Sequence, residues 1–361
     1  MAANQSPPAG GTILVTGANG GLGSSVASQV VAGKVFDGTY HGLFLVRDAA
    51  KAAALNAILA SATRRGGNNT VVSVDLSSLA SVRAGAAQIK QLVDAGKIPP
   101  LRAMVLAAGY REVSKQTFTE DGFDATFQNN YLGEFLLVLL LLGSMDREKG
   151  RVVIVSGMNH DTEDPRNEIE GAFKDPKYKT LFHSAESLAK GTFCSFTDDP
   201  SPMSGQRRYG AAHLCEVMFM VELHTRLTSQ PSALSNIKVV SYDPGAMPTQ
   251  ITRDDPSFMT RVVAMQFILP LLAPVLTWLW PNGYLRSKAK AARDTLFAAG
   301  VSAGGFGGAY GDGQGGVNLN GSLVWPVSKE AKDEAKRAEL WRESVKWCGI
   351  KEGDTVLENW Q

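Results

Sequence analysis

Thr12-Ile13-Leu14-Val15-Thr16-Gly17-Ala18-Asn19-Gly20-Gly21-Leu22-Gly23 opens as a short apolar, β-branched run and turns at once into glycines, ahead of small aliphatic residues over 22–32. A run apolar at consecutive positions suits a strand buried on both faces, as in a parallel sheet. The glycines permit a tight turn and let backbone N–H groups approach a pyrophosphate at the N-terminus of the next helix. A glycine-rich turn between strand and helix also occurs without a ligand. Here strand, turn and helix stand in the order that dinucleotide binding requires, so Thr16, Gly17, Asn19, Gly21, Leu22 and Gly23 are candidate cofactor contacts.

Outward from this stretch the pattern repeats. Strand-like runs follow at 42–46, 70–74, 103–106, 152–155 and 237–241, with helical patterns between them at 49–62, 79–93, 123–142 and 209–227. Over 79–93, Leu79, Val82, Ala86, Ile89 and Val93 share one helix face. Strands alternating with helices predict an α/β fold, a Rossmann-like doubly wound parallel sheet with right-handed crossovers. One domain over 11–361 is expected, after a disordered tail over 1–10 and ending in a helix over 326–347.

Two regions break the rhythm. Residues 157–208 carry many turn formers and charges and are too long for a plain connection, so they read as an insertion or lid. Residues 256–286 are apolar and aromatic, and the uncharged stretch Ala264–Trp280 has 17 residues interrupted by Pro270 and Pro274. A membrane span needs about 20 residues, so the segment reads first as a hydrophobic helical cap over a substrate pocket. Peripheral membrane contact and a homodimer interface are the other uses of such a surface.

Composition excludes several classes. The chain has 361 residues, 44% hydrophobic and 20% charged, with 36 basic against 35 acidic side chains and a net charge of +1. That balance leaves no electrostatic footprint for nucleic acid. Cys194, Cys215 and Cys348 are far apart and odd in number, which argues against a disulfide framework and for a reducing compartment. With His183 they have no metal-ligand spacing, and no metal is expected. The start, MAANQSPPAG, lacks a basic n-region and an apolar h-region. A cytoplasmic protein is expected, with membrane association through 256–286 left open, and the N-x-S/T tripeptides at Asn68 and Asn320 are chance matches. No His-Glu-x-x-His pair is present.

Arg47 stands at the end of the second strand, where an NAD-preferring site usually carries an acid. Its guanidinium suits a ribose 2′-phosphate and favours NADP(H), although Asp48 beside it could neutralise the charge.

The T-G-x-x-x-G-x-G spacing at 16–23 resembles the short-chain dehydrogenase/reductase family. Asp75-Leu76 is similar to the pair that contacts adenine there, Leu106-Ala107-Ala108-Gly109 to the Asn-Asn-Ala-Gly turn with its first two positions changed, Asn130 to the Asn-x-x-Gly segment, and Asp243-Pro244-Gly245 to the Pro-Gly turn beside the nicotinamide. The stretch Val74–Arg83 and the tail from Ser328 to Ser344 resemble the retinol dehydrogenase and protochlorophyllide reductase branch. By this resemblance Asp75, Leu76, Ala107, Ala108, Gly109, Pro244 and Gly245 join the cofactor contacts.

The resemblance implies a tetrad of Asn, Ser, Tyr and a Lys four residues after the Tyr. Asn130 and Tyr209 match, but His213 stands at the Lys position and Gly157 at the Ser position, with Ser156 one residue earlier. One helical turn still places Tyr209 and His213 on one face. A lysine is charged at neutral pH, whereas an imidazole with an ordinary pKa of about 6.5 is mostly neutral there. Tyr209, His213 and Asn130 are the expected catalytic residues, the first two also touching the cofactor. Three readings stay open: NADP(H)-dependent redox of a bulky hydrophobic ketone, alcohol or enone; a non-redox isomerase, dehydratase or cyclase using Tyr209 and His213 for proton transfer; and a binding protein without chemistry.

Overall fold

Each apolar run is a strand: β1 (Thr12–Val15), β2 (His41–Val46), β3 (Asn69–Ser73), β4 (Leu101–Leu106), β5 (Arg151–Val155) and β6 (Lys238–Asp243). The computed structural model describes residues 10–33, 40–62, 69–169, 171–301 and 316–361. The expected tail, apart from Gly10, and Asn68 lie outside the described residues. All neighbours in the order β3-β2-β1-β4-β5-β6 pair in parallel. The expected Rossmann-like sheet is present, with a correction at one edge. β7 (Val317–Asn320) adds parallel to β6, and β8 (Leu323–Trp325) adds antiparallel to β7. Hydropathy hides β7 because Asn318 and Asn320 are buried polar residues, satisfied by Ser241 and by Arg166 and Arg286.

Alternation along the strands divides the core into two layers. Ile13, Val15, Phe44, Val105 and Val153 face α1 (Gly21–Ala32), α2 (Ala53–Ala62) and α9 (Lys288–Ala298). Leu14, Leu43, Met104, Val152 and Ile154 face α3 (Leu79–Asp94), α5 (Gly133–Leu141) and α7 (Pro202–Thr228). The expected single helix over 123–142 is divided into α4 (Ala125–Phe127), a π-helical turn (Gln128–Leu132) and α5. Every residue of α5 is buried, as a helix apolar all round must be. Its outer side is covered by α11 (Glu334–Cys348), whose Trp341 packs on Phe135 and Phe219 at 5.1 and 6.1 Å between ring centroids. The expected 326–347 helix is also divided, into α10 (Lys329–Lys332) and α11, because Asp333 takes an extended conformation and caps the second piece through the Lys336 N–H.

The insertion folds back onto the body. It runs through short helical turns and α6 (Ala185–Lys190), and buries Ala172, Phe173, Leu181, Phe182 and Leu188. Glu330 of α10 accepts the backbone N–H groups of Leu181 and Phe182. Arg166 clamps the insertion to the end of β6, at 2.7 Å from both Asp164 and Asp243, all three largely buried. α7 begins at Pro202, two turns before the expected start, because proline is favoured in a first helical turn.

The 256–286 segment forms a π-helix (Met259–Ile268) that continues as α8 (Leu269–Leu279). Neither proline ends it. Pro270 and Pro274 both lie inside the continuous helix, and each forfeits one backbone bond without ending it. Val262–Leu279 is thus one apolar helix of 18 residues, mean hydropathy 2.0, in which only Ala273 and Thr277 are buried. Phe267, Leu271, Leu272, Val275, Trp278 and Leu279 are exposed.

Replacing Arg166 by Ala leaves two largely buried carboxylates without their shared cation. We expect a stability loss of about 3 kcal/mol or more, measured by urea unfolding, whereas Lys177→Ala at an exposed pair changes stability by less than about 1 kcal/mol.

Candidate active site

The strand order reverses between β1 and β4, and at such a switch point the crossovers diverge and leave a crevice at the carboxyl ends of the strands. The glycine turn occupies that place. Gly17 has φ +59°, and a Cβ there would lie 2.7 Å from the Cα of Ala108; a Cβ on Gly23 would lie 2.3 Å from the carbonyl oxygen of Gly17. A Cβ on Gly21 would lie 2.4 Å from the Thr249 methyl. Gly20 begins α1 with no side chain to cap it, so the amides of the first turn are offered to an anion. This cradle fits the pyrophosphate of a dinucleotide.

Thr16 ties the crevice together. Its Oγ1 accepts the N–H groups of Ala107 and Ala108 at 2.8 and 3.0 Å and donates to Glu134 Oε1 at 2.7 Å. The Asn19 side chain is turned away, its Oδ1 accepting the N–H groups of Ala54 and Leu55 at the start of α2; this narrows the expected Asn19 contact to its backbone. Leu22 and Leu76 are buried. Arg47 is exposed, with Nε 3.4 Å from Asp75 Oδ1. Asp48 is occupied by Lys51 and by capping the turn that follows, so Asp75 and not Asp48 is the acid beside Arg47. At the end of β6, Asp243 Oδ1 accepts the N–H of Gly245, which has φ +71° after Pro244.

Tyr209 and His213 lie one turn apart on α7 with ring centroids 4.2 Å apart, edge to face. A Cβ built on Gly157 would lie 3.1 Å from His213 Nε2. Imidazole and glycine therefore meet at the end of β5. Ser156 is buried, its Oγ without a hydrogen-bond partner among the described residues. Asn130 sits in the π-helical turn and is fully engaged with backbone: Nδ2 donates to the carbonyls of Tyr110 and Thr126, and Oδ1 accepts the Tyr110 N–H. Its side chain holds the chain that leaves Gly109.

Three residues near these groups were missed in the sequence. Glu216 Oε2 lies 2.6 Å from His213 Nδ1, with both side chains buried; its spacing of three after the histidine was legible. Burial drives the Glu134 carboxyl well above the usual range, against the Thr16 hydrogen bond, and Glu216 adds to the rise. Glu216 is itself pushed well up by burial. Arg111 places its guanidinium carbon 5.9 Å from the Tyr209 ring centroid, a cation beside the phenol that no local pattern announces. His160 completes the surroundings: its Nδ1 is bonded to the Gly157 carbonyl, and burial lowers its pKa.

A short chain dehydrogenase family model matches residues 11–169. A short-chain dehydrogenase of Talaromyces variabilis, iccH, is 40% identical over 97% of this chain and 99% of its own length. Protochlorophyllide reductase B of Oryza sativa subsp. japonica is 27% identical over 95% of this chain and 79% of its own. Among solved structures, the angucycline C-6 ketoreductase LanV with bound NADP superposes with a TM-score of 0.54 at 19% identity, covering 87% of this chain and 96% of that one. Glycine cradle, switch-point crevice and full-length similarity together show that the chain belongs to the short-chain dehydrogenase family.

Proposed function

We propose that the protein is an NADP(H)-dependent oxidoreductase of a bulky hydrophobic small molecule, acting on a carbonyl, alcohol or enone with Tyr209 as general acid/base. The observation that carries this reading is the glycine cradle at the β1/β4 switch point, with Tyr209 and His213 on a helix beside the same carboxyl end of the sheet. Gly17–Gly23, Asp75–Leu76, Ala107–Gly109 and Pro244–Gly245 would hold the dinucleotide, and Arg47 its 2′-phosphate. When bound, NADP(H) supplies or accepts the hydride at the reacting carbon. The Tyr209 hydroxyl gives a proton to the substrate oxygen in reduction or takes one in oxidation. His213 returns that proton, while Arg111 favours the phenolate by its charge. Asn130 acts by holding the chain at Tyr110.

A second reading, a non-redox isomerase, dehydratase or cyclase on the same site, is favoured by Gly157, which takes away the hydroxyl expected to polarise a carbonyl. Proton transfer between Tyr209 and His213 needs no such donor.

The hydrophobic substrate and the exposed 262–279 helix belong to one picture. The turn Gln250–Thr252 precedes that helix, Thr249 lies against Gly21, and Ile251 is the nearest contact a Cβ on Gly109 would meet. The helix thus emerges beside the cofactor crevice. An apolar helix of this length with Trp278 and Trp280 at one end suits peripheral contact between a cytoplasmic protein and a lipid surface.

Three outcomes test the reading. Stopped-flow absorbance with apolar ketones and enones should show NADPH oxidation, and Tyr209→Phe should slow it by about 10²–10⁴-fold with cofactor affinity kept. Turnover indifferent to the cofactor's redox form would select the non-redox alternative. Arg47→Glu should weaken NADPH binding by about 10–100-fold and NADH binding far less, as read by fluorescence titration. The protein should co-sediment with lipid vesicles and lose that property in the Leu271→Glu, Val275→Glu, Trp278→Glu triple variant; dissociation of a homodimer by the same variant, without vesicle binding, would assign the helix to a subunit interface.

A further inference from the structure

The imidazole that stands in the lysine position is held from behind. His213 and Glu216 are one helical turn apart on α7, a spacing that makes side chains neighbours. The 2.6 Å separation of Nδ1 and Oε2 falls at the short end for nitrogen-to-carboxylate hydrogen bonds. The side chains are 6% and 2% exposed, so water does not compete for either atom. A neutral imidazole carries one N–H, and the nitrogen that donates is chosen by the acceptor it meets. Nδ1 meets the Glu216 carboxyl, which accepts its proton when ionised, against the burial that pushes that carboxyl well up. Nε2 lies 3.1 Å from the place a Cβ at Gly157 would take, so any side chain there would press on the ring.

We infer that Glu216 is the positioning residue of this site: it accepts the Nδ1 proton of His213, fixes the imidazole tautomer and aims Nε2 into the space that Gly157 leaves open beside Tyr209. A buried carboxylate is a costly way to fill a helix interface, since an apolar side chain of that volume would pack without desolvating a charge. Stability therefore does not explain it, and orientation of the imidazole does. Carboxylates orient histidines in the same manner behind metal ligands and in hydrolase triads. The charged and titratable groups around the pair come from three elements. Tyr209 and Cys215 share α7 with it, His160 approaches from the turn after β5, and Glu134 comes from α5. With Nδ1 engaged, Nε2 has a lone pair in the neutral ring and a second N–H in the protonated ring, so it can take a proton from the Tyr209 side and return it.

The inference rests on the proposed function only for its catalytic consequence. Its first test needs no cofactor. Long-range ¹⁵N–¹H NMR correlations on the unliganded protein, with His213 assigned through His213→Gln, should show the neutral ring protonated at Nδ1, and Glu216→Ala should move the proton to Nε2. In turnover, Glu216→Gln should lower kcat by about tenfold or more with the KM for NADPH within about twofold, and Tyr209→Phe should mask that loss. A wild-type ring protonated at Nε2 overturns the proposal even if neither Glu216 variant folds. So does a Glu216→Gln enzyme with unchanged kcat. The expected tautomer in a protein that never oxidises NADPH would leave Glu216 assigned and remove the redox reading instead.

Discussion

Backbone lies against backbone at the carboxyl end of β1, and the site depends on that approach. Gly23 sits where a Cβ would come 2.3 Å from the Gly17 carbonyl, and Gly17 sits where one would meet the main chain of Ala108. Only hydrogen can occupy those positions without moving the strand, the turn or the helix. The result is a start of α1 drawn tightly under the end of β1, with its first amides turned outward. Thr16 transmits the constraint sideways. Its hydroxyl holds the two amides after β4 and a buried carboxyl on α5, so the switch-point crevice is one hydrogen-bonded unit.

The Tyr209 and His213 side of the crevice obeys a second constraint, of volume. Gly157 and His213 share a space that a serine and an imidazole would contest. The two departures from the family's tetrad are therefore physically coupled: shortening one residue makes room for the flat ring of the other. Where the family carries a lysine ammonium, the buried Glu216 carboxyl lies behind the imidazole and the Arg111 guanidinium lies near the phenol, on two elements. A lysine carries its charge at neutral pH by itself, whereas an imidazole needs a partner to set which nitrogen bears the proton.

Two segments of similar apolar character have opposite fates. Ala125–Ser144 has mean hydropathy 1.2 and is buried but for Gly143, while Val262–Leu279 has mean hydropathy 2.0 and buries only Ala273 and Thr277. The first lies on the sheet beside α3 and α7 and under α11, where Phe219 and Trp341 pack on its Phe135. The second leaves the crevice rim with Ala273 and Thr277 as its buried anchors. Hydropathy alone ranks them the wrong way round, because burial depends on what the rest of the chain brings alongside.

Local pattern determined much of this protein. The apolar runs fixed six strands, the glycine spacing located the cradle, and a four-residue interval put Tyr209 and His213 on one helix face, since each is a matter of steric fit or periodicity within a few residues. β7 escaped because its buried positions are asparagines, satisfied by groups distant in sequence. The break at Asp333, the helix running through Pro270 and Pro274, and the diversion of Asn19 to α2 depended on partners or backbone geometry that composition does not encode. Only the tertiary structure decided that Gly157 faces His213, that Arg111 approaches Tyr209 and that Asp75 stands beside Arg47. Those relations join β5 to α7, the β4 loop to α7 and β2 to β3, and contacts between separate elements are set by how the layers pack.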